Sequence, residues 1–185
     1  MKPILLTEHF TLDEFTRSDM ATRNGIDNSL PSHLATAAIG TCEMLESIRE
    51  LLGNKPITIS SGYRCMKLND LVGSKPTSDH VQACAVDFVC PDFGSPVEIA
   101  RFLSGQENMR QAQIGQLILE FGRRGWVHVS TRLPSSAATA TCRSGLPNSA
   151  AATGTSRHHR VALVLVQPEL VDADVLLRPL HPDRK

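Results

Sequence analysis

Ser78-Asp79-His80-Val81-Gln82-Ala83-Cys84-Ala85-Val86-Asp87 sets an imidazole and a carboxylate seven residues apart, with small residues between them. Val86, Phe88 and Val89 surround the Asp with apolar side chains. A carboxylate in an apolar strand needs a partner, because burying it unpaired is costly. Imidazole and carboxylate together suit zinc, and a catalytic zinc site takes three protein ligands plus a water. The stretch supplies two ligands. Trp126-Val127-His128-Val129-Ser130, another strand-like run, offers a third. The donor chemistry therefore points to a mononuclear zinc on His80, Asp87 and His128, although the same donors also admit manganese or iron. Spacing alone also fits a surface His and a strand-end Asp.

Three motifs carry a resemblance. Ser78-x-His80-x-x-Ala83-x-Ala85-x-Asp87 resembles the S-x-H-x-x-G-x-A-x-D motif of the zinc D-Ala-D-Ala carboxypeptidase family, peptidase M15. Ser60-Ser61-Gly62-Tyr63-Arg64 resembles that family's S-G-Y-R, and Trp126-Val127-His128-Val129-Ser130 its W-V-H-V-S. Leu6-Thr7-Glu8-His9-Phe10-Thr11-Leu12-Asp13-Glu14-Phe15 and Asn24-Gly25-Ile26-Asp27-Asn28 resemble the opening of its phage and prophage branch. The resemblance spans roughly residues 6–130.

It implies one Zn2+ per chain on His80, Asp87 and His128, with Glu120 as general base. It implies that Arg64 anchors a substrate carboxylate, which suits the forked geometry of guanidinium. Ser78 would hydrogen-bond within the site or cap its loop. The implied activity is cleavage of peptidoglycan stem or crosslink peptides, as a D-alanyl carboxypeptidase or endopeptidase of the endolysin kind. The implied fold is α+β, a small antiparallel sheet with helices packed on one side. Ala83 departs from the motif's Gly, which could serve a positive φ or a close backbone approach. Two other readings stand beside this one: a non-catalytic peptidoglycan-binding or phage-tail member of the fold, and a cytoplasmic D-Ala-D-Ala dipeptidase.

These residues need a scaffold. Thr11-Leu12-Asp13-Glu14 reads as a capping box that starts a short helix over 12–17. Leu34, Ala38, Leu45, Ile48 and Leu52 recur at helical spacing after Pro31-Ser32, and Gly53 and Pro56 end that helix. Residues 57–60 form a β-branched strand, residues 65–77 a loop with a helical turn near 67–71, and residues 85–89 a second strand. Ser95-Pro96-Val97-Glu98 caps a helix that runs to about 104. Residues 114–120 and 126–130 form a hairpin. Alternation puts Leu117, Leu119, Val127 and Val129 on its core face and projects Glu120 and His128 together into a cleft.

Composition limits the alternatives. The 185 residues carry 19 basic and 19 acidic side chains, so nothing points to nucleic acid or an anionic membrane. Five cysteines without C-x-x-C spacing argue against a disulfide framework or a zinc ribbon. No apolar run approaches the roughly 18 residues of a membrane span. The apolar core of residues 1–8 is too short for a secretory signal. The expectation is a monomer made in the cytoplasm that reaches the cell wall on phage lysis or as part of a virion. All eight aromatics lie at or before Trp126, so the packed domain is expected over 1–130. Residues 131–185 form an Ala/Ser/Thr-rich tail, expected to be poorly ordered. Either a natural disordered tail or a frameshift near residue 131 accounts for it.

Overall fold

The computed structural model describes residues 2–120, 125–133 and, as backbone, 163–165. Its centre is an antiparallel sheet of β1 (Thr58–Ser61), β2 (Ala85–Val89), β3 (Gln116–Glu120), β4 (Trp126–Ser130) and β5 (Leu163–Leu165), ordered β1-β2-β4-β3-β5. Six helices accompany it among the described residues: α1 (Leu12–Thr16), α2 (Asp19–Arg23), α3 (Ala35–Leu51), α4 (Met66–Leu71), α5 (Pro96–Leu103) and α6 (Gln106–Gln111). The fold is α+β, as expected.

Strand alternation divides the sheet into two chemically different faces. Val86 and Phe88 of β2, Leu117 and Leu119 of β3, and Val127 and Val129 of β4 share one core with Leu45 and Ile48 of α3 and Ile99 and Leu103 of α5. Each such side chain fully removed from water contributes about 1.5–3 kcal/mol. The other face carries Asp87 and His128, which sit directly opposite each other in the register. The apolar face therefore fixes the position of the polar one.

Both capping boxes form. Thr11 accepts from the Glu14 N–H at 3.2 Å, and Ser95 accepts from the Glu98 N–H at 3.4 Å. The longest helix does not start at Ser32. A 3-10 turn over Ser32–Leu34 leads into α3. Residues 65–77 are more helical than expected, because Met66–Leu71 closes as α4 over the buried Leu68 and Asn69. The α2 and α6 helices were not anticipated. Both are short and mostly polar, and each buries one residue, Ala21 or Met109. The hairpin's first strand begins at Gln116 instead of residue 114, because Gln113 takes a positive φ of 54° after α6.

Two local features shape the cleft. The register shifts between Ile59 and Ser61, so β1 bulges beside Asp87. Such bulges re-aim side chains near functional sites, and here Ser60 and Ser61 both line the cleft. A 3-10 turn, Asp79–Gln82, carries His80 and ends at Ala83, whose φ of 55° is left-handed. This is the conformation the motif's Gly would take without strain.

Of the expected tail, residues 134–162 and 166–185 lie outside the described residues, as do residues 121–124 of the hairpin connection. The backbone of Leu163–Leu165 pairs with β3, with Ile118 opposite Val164. Among the described residues, no helix is long and apolar enough to cross a membrane.

Candidate metal centre

A cleft of about 380 Å³ opens on the polar face of the sheet. His80, Asp87 and His128 form its buried centre, at 3%, 3% and 8% exposure. One potential ligand atom from each lies within 4.8 Å of the others. Three elements deliver them: the 3-10 turn, β2 and β4.

The cluster converges on one oxygen. Asp87 Oδ1 is 3.3 Å from His80 Nε2 and 2.7 Å from His128 Nδ1. The two rings tilt against each other with centroids 5.0 Å apart. His80 Nδ1 lies 2.7 Å from the Gly62 carbonyl oxygen. A carbonyl only accepts, so Nδ1 carries the proton there and Nε2 is the nitrogen aimed into the cluster. Fixing the far nitrogen on a carbonyl is how metal-binding imidazoles are commonly oriented.

Burial pushes the Asp87 carboxyl pKa up. The charge of His80 and the hydrogen bonds from both imidazoles outweigh burial and hold it far below the usual carboxylate range. With Nδ1 of neutral His80 donating to Gly62, its Nε2 turns a lone pair toward a buried carboxylate oxygen 3.3 Å away, an arrangement that a cation between them would stabilise. A divalent cation placed among these three groups meets that need. The donor set, two imidazoles and one carboxylate, fits zinc.

The other residues singled out from the sequence lie around this centre. Glu120, Arg64 and Ser78 all line the cleft. Glu120 pairs with Trp126 across the hairpin, two positions beyond the Ile118–His128 pair, and the register runs unbroken to it. Glu120 and His128 are diagonal neighbours on one face, a relation that spans roughly 7–8 Å in antiparallel sheets. The Ser78 hydroxyl makes no cap bond to the turn it precedes.

Arg64 is tied to Asp87, with Nη2 donating to Oδ2 at 2.7 Å. Its Nε donates to Ser61 Oγ at 2.8 Å, and its backbone N–H donates to the His80 carbonyl at 3.2 Å.

Asp79 does not orient His80. It accepts from Ser130 Oγ at 2.7 Å and pairs with Arg132 at 3.2 Å. The orienting acceptor is the Gly62 carbonyl, which adjacency in sequence could not reveal. Asn28 was also missed as a supporting residue. Buried, it donates to the carbonyls of Thr16 (2.7 Å) and Tyr63 (3.0 Å) and accepts from the Cys65 N–H (2.7 Å), clamping both neighbours of Arg64. The sequence signal for it was its place in the 24–28 run that resembles the opening of the family's phage and prophage branch.

A family model described as Peptidase M15 matches residues 8–130. No curated protein matches the chain.

Proposed function

The chain belongs to the peptidase M15 family, and from that premise we propose that it is a zinc-dependent metallopeptidase that cleaves peptidoglycan stem or crosslink peptides next to D-alanine. The observation that carries this reading is the convergence of His80, Asp87 and His128 in a cleft that Glu120 also lines.

His80, Asp87 and His128 would hold one zinc per chain. When bound, zinc polarises the scissile carbonyl and makes a water acidic enough to attack near neutral pH. Glu120 takes the proton from the attacking water on its carboxylate and returns it to the departing amine. Arg64 uses three N–H groups on Ser61, Ser74 and Asp87. A guanidinium has five, which leaves two for a substrate carboxylate. Ser78 adds a hydroxyl to the same wall. The enzyme would act as a monomer.

The resemblance of residues 6–28 to the phage and prophage branch supports action on the cell wall after release from the cytoplasm. The packed unit would be 1–130, with 131–185 as an appendage. The testing experiment is mass analysis of purified peptidoglycan and D-Ala-terminated peptides after incubation with the zinc-loaded protein and with Glu120→Gln. Release of D-alanine or crosslink cleavage by wild type alone supports the proposal. Binding of peptidoglycan without cleavage would make this a binding module, and hydrolysis of free D-Ala-D-Ala alone a dipeptidase.

A further inference from the structure

We propose that Arg64 is a positioning residue for the metal centre: it occupies Asp87 Oδ2 and so leaves Oδ1 alone to face the cation. This rests on the zinc-peptidase reading and assigns Arg64 a task that exists before any substrate arrives.

The two oxygens of Asp87 have separate partners. Oδ1 faces His80 Nε2 and His128 Nδ1, while Oδ2 receives the Arg64 guanidinium. The Arg64 side chain is only 15% exposed and that of Asp87 5%, so water does little to screen this pair. Charge-assisted bonds to carboxylate are the strong ones, and guanidinium holds its direction better than an ammonium.

Arg64 is itself held on several sides. Ser61 Oγ accepts from Nε at 2.8 Å, Ser74 Oγ accepts from Nη1 at 3.4 Å, and Asn28 bonds the backbone on both sides of the residue. The bulge in β1 brings Ser61 opposite Asp87, so acceptor and guanidinium meet. The Arg64 backbone N–H also bonds the His80 carbonyl, so one residue contacts two of the three candidate ligands. With Oδ2 released, Asp87 could turn or offer both oxygens to the ion.

The test uses the full-length, metal-free protein. Zinc affinity is measured by chelator competition, and the visible spectrum of the cobalt(II)-loaded protein reports the number of ligands. Arg64→Ala is expected to lose roughly 10–100-fold in zinc affinity, the range seen when outer partners of metal ligands are removed. It should also give weaker cobalt bands, as a fifth ligand oxygen enters. Arg64→Lys keeps the charge without the fork and should fall between. Zinc affinity and a cobalt spectrum unchanged in Arg64→Ala, with only KM raised, would overturn the proposal and leave Arg64 a substrate anchor. Should circular dichroism show Arg64→Ala unfolded, wild-type affinity and spectrum in Arg64→Lys would overturn it equally. Failure of wild type to bind zinc would instead remove the reading beneath it.

Discussion

The Gly62 carbonyl oxygen and His80 Nδ1 sit 2.7 Å apart, and that contact decides which nitrogen of His80 enters the cleft. Gly62 can stand there only because it has no side chain. A Cβ at this position would run into the Phe15 carbonyl oxygen, which already accepts from the Tyr63 N–H at 2.8 Å. The N-terminal helix α1 is thus coupled to the orientation of a candidate ligand.

Gly62→Ala should therefore cost stability and zinc affinity together. Forcing a methyl into a packed site typically costs about 1–3 kcal/mol. Urea unfolding measures the first loss and chelator competition the second. A loss of stability with unchanged zinc affinity would uncouple α1 from His80.

Ala83 stands at φ 55° and is fully buried, with its carbonyl accepting from Thr41 Oγ1 at 2.8 Å. Replacing it with Gly relieves about 1–2 kcal/mol of left-handed strain. That change also loses about 0.8 kcal/mol of methyl burial and frees the unfolded chain by about 0.4–1 kcal/mol. These effects nearly cancel, so Ala83→Gly should change stability by less than about 1 kcal/mol. Ala83→Val adds β-branching at positive φ and should lose about 2 kcal/mol or more. Denaturant midpoints of the two variants check the contrast.

Ser130→Ala removes the bond to Asp79 and the acceptor of the Arg132 N–H. The first of these joins the end of β4 to the turn that carries His80, and the second holds the chain just after β4. The expected cost is about 1–3 kcal/mol for the groups left without partners, with a several-fold weaker zinc affinity. Wild-type stability in thermal unfolding would show this junction to be dispensable.

Acid sensitivity should arise partly far from the cleft. Glu46 accepts from the Thr7 hydroxyl and from the His9 N–H and Nδ1 at 2.7, 2.8 and 2.9 Å. Partial burial raises its pKa, but the bonds from Thr7 and His9 bring the net value below its ordinary 4.5. A carboxylate whose folded pKa is depressed stabilises the fold fully above its unfolded value, and that stability is lost as pH falls through the folded one. Wild type should thus exceed Glu46→Gln in melting temperature above about pH 4.5, and the gap should shrink toward pH 3. A gap independent of pH would contradict this.

The parts readable from the sequence were those encoded by contiguous runs. Ala85–Val89 and Trp126–Ser130 form the strands expected of them, because apolar alternation and β-branching act locally. The three candidate ligands were readable because their chemistry is scarce and their motifs are compact. The supporting contacts were not. Arg64 meets Asp87 only because β1 bulges in its register with β2, and Ser130 meets Asp79 across 51 residues of chain. Such contacts depend on how strands pair, which no local spacing states.

The most direct test is metal content by elemental analysis on wild type and His80→Ala, paired with the peptidoglycan hydrolysis assay. The prediction is about one zinc per wild-type chain, with both zinc and hydrolysis lost in His80→Ala. Wild-type protein that binds no metal, or a His80→Ala variant that keeps both metal and activity, would contradict a metal centre built on His80, Asp87 and His128.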